Sequence, residues 1–253
     1  MINLISSFFE EMANDHPKWN FIFFYEHDQW ERVLSGLAVT VELSVLCVLL
    51  SIFIGIFGAW AQSCKYPALR LITQGYIQFF RNTPPLIQLL FFYFALGQFT
   101  PTVVGPDGWT EIPLISNVGW AIISLSLFAG AFNVEIFRSG IEAVPESTKE
   151  ASEALGFNHI QTYRHIVFPL ALRVSLPALN NNLVNLVKTT TQAVVIAVPE
   201  LLYEMISIYN DYASAQNAAM TVLFFTYIGL VGIMVFGMHK WEHKLKIPGV
   251  GNK

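Results

Sequence analysis

The sequence predicts an all-α fold, a multi-pass transmembrane helical bundle of five core spans. Three observations carry that prediction. Hydrophobic residues make up 54% of the chain and charged residues only 13%, with mean hydropathy +0.49, whereas soluble domains carry about 25% charged residues. Apolar runs near the roughly 20 residues needed to cross a bilayer recur along the chain. Basic residues cluster on alternate connections between those runs.

The first run extends from Leu34 to Trp60 and is interrupted only by Glu42. The second, Gly75 to Phe99, contains Pro84 and Pro85, and the third, Val118 to Phe137, contains Glu135. The fourth, Leu176 to Val198, is the most polar, and the fifth, Ala218 to Met238, is rich in glycine and large apolar residues. An odd number of spans puts the two ends on opposite sides. All of the 14 Lys and Arg except Lys18 and Arg32 fall on one side: Lys65, Arg70 and Arg81, then Arg138, Lys149, Arg164, Arg173 and Lys188, then Lys240, Lys244, Lys246 and Lys253. That side is expected to be cytoplasmic, with the N-terminus outside and the C-terminus inside. The opposite segments are acidic, with Glu10, Glu11, Asp15, Glu26, Asp28, Glu31, Asp107, Glu111, Glu200, Glu204 and Asp211.

A net charge of -4 gives no basic excess to suggest a nucleic-acid partner, and none is expected. Cys47 and Cys64 share one apolar run. As a helix it would hold them roughly 25 Å apart, too far for a disulfide, which needs Cα atoms within about 7 Å. The first charges of the chain are acidic (Glu10, Glu11, Asp15), unlike a signal peptide. Residues 1–30 form an extracytoplasmic N-terminal segment in this reading. Within it Ile2, Ile5, Phe8, Phe9 and Met12 recur near helical spacing, as in a helix lying on the membrane or packed on the rest of the chain. Residues 31–253 form one transmembrane domain without internal repeats.

The connection from Arg138 to Arg173 is too polar to span and too long for a turn. Pro145 suits a helix start, and Glu146 and Glu150 suit its first turns. Ala151, Ala154 and Leu155 make an apolar stripe, and Gly156 is a stop. Such a helix either packs on its own bundle or docks into a partner.

Lys149-Glu-Ala-Ser-Glu-Ala-Leu-Gly156, followed by Ile166-Val-Phe-Pro169 and Leu176-Pro177, resembles the Glu-Ala-Ala loop of binding-protein-dependent ABC importer permeases, with Ser152 in place of the second alanine. The likeness extends along the chain. Leu34-Ser-Gly-Leu-Ala-Val-Thr-Val-Glu-Leu-Ser44 is similar to the first core helix of the polar amino-acid permeases. Tyr76-Ile-Gln-Phe-Phe-Arg-Asn-Thr-Pro84 resembles the start of their second, with Asn82 in the usual glycine place. Ala131-Phe-Asn-Val-Glu-Ile-Phe-Arg-Ser-Gly140 and Leu186-Val-Lys-Thr-Thr190 resemble two further segments, in order, across residues 34 to 246. The resemblance, to the histidine, glutamine and opine permeases, implies a five-helix type I fold in the bacterial inner membrane. It implies a polar amino acid as cargo, a separate ATPase subunit, a second permease subunit and a periplasmic substrate-binding protein. Residues 1–30 lie outside it. The helix around Glu150, Ala151, Glu153, Ala154, Leu155 and Gly156 would then couple to the ATPase.

The chain lacks G-x-x-x-x-G-K-[ST], so no phosphate-cradling loop is expected in it, ATP would be bound by the partner, and no cofactor is expected. Charges inside a bilayer are costly and face a cavity or a partner. Glu135 is therefore expected to pair with Arg81, Arg138 or Lys188. Glu42, deeper in its span, lines a substrate path or bonds a neighbouring helix. In the fourth run Asn181, Asn185 and Gln192 fall near one helical face that can line an aqueous passage, the alternative being hydrogen bonds between helices. His239 and His243 are at i, i+4 spacing but without a third ligand, and no metal site is expected. No nucleophile or metal set of a membrane enzyme stands out. A passive channel or facilitator for small polar solutes is the competing reading, and it would not need the Glu-Ala…Gly helix.

Overall fold

The computed structural model describes residues 2–16 and 18–245. Met1, Lys246 and Lys253, used in the readings above, lie outside them. The chain divides into two compact units, Met1–Leu46 with Leu86–Ser124 and Val187–Gly232, and Cys47–Pro85 with Leu125–Leu186 and Ile233–Lys253.

Nearly all the regular structure is helical. α1 covers Ile2–Asp15 and α2 covers His27–Ser63. α2 begins with Asp28 in its first turn, which suits the helix dipole. At 37 residues it is about 55 Å long, well beyond the roughly 30 Å of a hydrocarbon core. α3, Pro67–Asn82, opens on a proline at its first position, where the missing N–H costs nothing. It stops because Thr83 precedes Pro84 and is forced extended, with φ -118° and ψ 142°.

The apolar stretch after this break is helical from Pro85 to Phe99, comprising α4 (Pro85–Leu90), a π-helical turn (Phe91–Leu96) and a 3-10 turn (Gly97–Phe99). The expected second span, Gly75 to Phe99, is thus two helices divided at Pro84. Among the described residues, three helices are long and apolar enough to cross a membrane: α2, α5 (Asn117–Glu142) and the run Ala213–Glu242 that holds most of α10 (Gln216–Leu245). A fourth span results if the bent pair His159–Ile196 and Leu201–Asp211 is taken as one. The all-α class stands, whereas the count of five rests on the short helix after Pro84.

The sequence reading did not anticipate a two-stranded hairpin before α5. β1 (Thr102–Val104) pairs antiparallel with β2 (Glu111–Pro113), Val103 opposite Ile112. Its tip is drawn together by Asp107, which accepts from the Trp109 and Thr110 backbone N–H groups and the Thr110 hydroxyl at 2.8–3.1 Å.

In the first unit, the core is built from Ile22, Phe23, Val33, Leu201, Met205, Ile208, Ala215, Ala218 and Ala219. The 3-10 turn Ile22–Phe24 therefore places the N-terminal segment inside this core. Phe9 of α1 packs on Phe21 and Phe24, at ring distances of 5.3 and 4.8 Å. Asn20 Nδ2 donates to Ser214 Oγ at 3.0 Å. In the second unit Ala59, Phe137, Leu179 and Leu183 form the core. Two glycines permit its closest approaches. A methyl group on Gly58 would collide with the Val134 side chain, and one on Gly140 would sit 2.6 Å from the Ala171 carbonyl oxygen.

Candidate functional site

The loop between α5 and the helix α8 (Phe168–Thr189) contains two short helices, α6 (Glu146–Ala154) and α7 (His159–Thr162). Its base is fixed by Val144, Val167 and Ala171, which pack together, and by Ser175 Oγ donating to the Ile136 carbonyl at 3.2 Å. Pro145 caps α6 at the predicted place. Leu155 ends it, and Gly156 turns the chain at φ +85°, a left-handed conformation that glycine adopts without steric cost. Asn158 and Gln161 then form a capping box that starts α7.

The faces of α6 are sharply divided. Ser152 is buried, and its hydroxyl lies 2.8 Å from the hydroxyl of Thr162. Glu150, Ala151, Glu153, Ala154 and Gly156 are exposed, and Leu155 is 78% exposed. The apolar stripe read from the sequence faces away from its own chain. The serine that departs from the usual alanine is the side chain turned inward.

Glu135 is held by two guanidinium groups, Arg81 Nη1 at 3.4 Å and Arg138 Nη2 at 3.1 Å. Arg138 also reaches Glu142 at 2.7 Å, and the Arg81 guanidinium lies 5.4 Å from the centre of the Phe132 ring. Lys188 lies in the other unit and forms no ion pair among the described residues.

The asparagines of α8 separate by face. Asn182 Nδ2 donates to Asn133 Oδ1 at 2.8 Å and to the Ala129 carbonyl at 3.0 Å, and Asn133 Nδ2 donates to Ser51 Oγ at 3.2 Å. Asn180 Nδ2 donates to Glu242 Oε2 at 3.3 Å. These are bonds between helices. Asn181 and Asn185 are exposed, as is Glu42 on α2. Gln192 belongs to a 3-10 segment, Thr190–Ile196. Its Oε1 is buried without a hydrogen-bond partner. His239 Nδ1 lies 3.7 Å from Glu242. The His243 side chain lies outside the described residues.

Glu200 is a residue whose importance the sequence did not signal. It precedes α9 (Leu201–Asp211) and is 1% exposed. Its carboxylate accepts from the Leu202 and Tyr203 backbone N–H groups, each at 3.0 Å, and from the Tyr227 hydroxyl at 2.9 Å. Thr40 Oγ1 sits at 3.5 Å and accepts from Leu201 N at 3.0 Å. Farther along α9, Arg32 bridges Glu204 at 3.1 Å and Asp211 at 3.0 Å. The bend before α9 is marked by Ala197 at φ 56°, whose carbonyl accepts from Asn117 Nδ2 at 2.5 Å. A helix-capping carboxylate cannot be told from a solvated loop carboxylate by spacing alone. The Glu-x-x-x-Glu stretch read as outer charge was the available signal.

Residues 51–244 match the family described as binding-protein-dependent transport system inner membrane component. The histidine/lysine/arginine/ornithine transport system permease protein HisM of Escherichia coli is 30% identical over 233 residues, covering 87% of this chain and 96% of that protein. The HisQ protein of the same description from Salmonella typhimurium is 35% identical over 158 residues, 62% of this chain and 69% of that protein. Among solved structures, an amino acid ABC transporter with histidines superposes with a TM-score of 0.74 at 25% identity, covering 88% of this chain and 98% of that one. The inward-facing MetNI methionine ABC transporter superposes at 0.64 with 18% identity, a likeness of fold. A helical chain with an outward-facing Glu-Ala…Gly helix, matched to one family over most of its length, belongs to the inner membrane components of binding-protein-dependent transport systems.

Proposed function

We propose that this permease subunit lines the passage of an ATP-driven importer for a polar amino acid and receives its stroke through α6. The observation that carries the reading is the division of α6, with one hydroxyl turned inward and Ala151, Ala154 and Leu155 turned out. A short helix that leaves its apolar stripe in water has a stripe suited to a partner. Glu150 and Glu153 flank it as carboxylates for basic residues of that partner. The partner is a separate ATPase subunit on the cytoplasmic side, a second permease subunit completes the passage, and a binding protein delivers cargo to the outer face. The N-terminus then lies outside and the C-terminus inside, as the basic residues favour. The naming of HisM and HisQ for histidine, lysine, arginine and ornithine supports an amino acid as cargo. Glu42 suits the ammonium group of such a substrate, and Asn181 and Asn185 suit its polar groups.

The test is uptake by proteoliposomes holding the permease, its ATPase and its binding protein, with Leu155→Asp and Gly156→Asp beside the parent. Leu155 is exposed in this chain, so the aspartate leaves folding intact. The expected result is uptake that requires every component, and variants that lose the ATPase during purification or hydrolyse ATP without transporting. Uptake without the ATPase would instead establish a passive facilitator.

A further inference from the structure

The second unit carries a cavity of roughly 310 Å3 where the end of α2 meets α7, lined by Trp60, Cys64, His159, Ile160, Tyr163 and Arg164. Its polar groups are basic or neutral. The Arg164 guanidinium is exposed and in no ion pair among the described residues. Arg70 donates its Nε to the carbonyl of Cys64, a lining residue, at 3.1 Å, which brings a second guanidinium to the rim. Lys65 adjoins Cys64. From residue 43 to 106 and from 154 to 199 the sequence contains no Asp or Glu, so neither contributing segment supplies a carboxylate. Guanidinium groups left without carboxylates, in a pocket walled by Trp and Tyr, suit a phosphate oxygen.

The apolar surface running into this pocket identifies what carries the phosphate. Leu49, Phe53, Phe57 and Trp60 are 60%, 70%, 56% and 51% exposed, and their spacing places them on one face of α2. From Leu49 to Trp60 that stripe is about 16 Å long, close to half of a roughly 30 Å hydrocarbon core and so to one leaflet. Its end is the pocket. Basic pockets beside membrane helices hold anionic lipid headgroups.

We propose that an anionic phospholipid binds here, its phosphate between Arg164 and Arg70 and an acyl chain along Leu49, Phe53 and Phe57. A soluble phosphate would use the guanidinium groups but not the stripe.

The test is native mass spectrometry of the full-length chain in detergent, mixed with phosphatidylglycerol or phosphatidylcholine of the same acyl composition. The parent retains phosphatidylglycerol preferentially. Arg164→Gln and Arg70→Gln each weaken that retention about fivefold, in line with one surface cation apiece, while Arg164→Lys and Lys18→Gln, a substitution in the first unit, keep it. Both arginines are exposed, and unchanged thermal unfolding of the variants separates lost binding from lost folding. Equal retention of the two lipids, retention untouched by either substitution, or displacement of the lipid by inorganic phosphate at millimolar concentration would overturn the proposal.

Discussion

Among the described residues, Glu200 is the one formally charged side chain that is buried, and its four neighbouring donors explain how that is tolerated. Removing it leaves Leu202 N, Tyr203 N and the Tyr227 hydroxyl without an acceptor. Glu200→Ala is expected to lower stability by about 2 kcal/mol, the sum of a lost cap and orphaned donors. Glu200→Gln, which keeps an acceptor oxygen, is expected to lose less. Thermal unfolding in detergent ranks the two. Asp107 offers a pH test at the hairpin tip. The Thr110 backbone and side chain, followed by the Trp109 N–H, hold its carboxyl below the usual carboxylate range. Its contribution to the tip is therefore fully present above the ordinary carboxylate pKa and is lost as pH falls through the lowered value. Carboxyl-carbon NMR should place its midpoint below the ordinary carboxylate range, and Asp107→Asn should abolish the transition.

At the scale of elements, Gly140 decides how closely α5 and α8 approach at the root of the loop. Gly140→Ala is expected to cost about 1–3 kcal/mol by overpacking, read as a lower unfolding temperature and a weaker yield of folded chain. The loop was legible in the sequence because its signals are local: Pro145 fixes a start, Gly156 a stop, and the alanine spacing a face. The break at Pro84 was legible as two prolines, but not as the end of a span, since hydropathy does not register a broken ladder of hydrogen bonds. The pairing of Glu135 with Arg81 joins residues on different helices, and only the general cost of intramembrane charge pointed to it.

For the whole molecule, the segment before α2 is the part the resemblance left unexplained. Phe23, fully buried, packs in one core with Leu201, Met205 and Ile208, residues about 180 positions away in a chain of 253. Contacts at such separation have no signature in local periodicity. Deleting residues 2–16 removes the Phe9 contacts with Phe21 and Phe24 but no member of the buried core cluster, and is expected to be mild. Deleting residues 2–24 removes Ile22 and Phe23 from the core and should cost about 3 kcal/mol or more. Comparing the unfolding temperatures of the two truncations checks this.

The hydroxyl pair of Ser152 and Thr162 bears on stiffness. Gly156 has no side chain to resist rotation, so a push on the tip of the loop would first fold it at that glycine. The Ser152–Thr162 bond ties the two arms together on either side of this weak point. Together with the Phe157 N–H donating to the Ser152 carbonyl at 3.1 Å, this pair would let a displacement delivered to Leu155 travel toward α8 as through a strut, where a bare glycine would yield as a hinge.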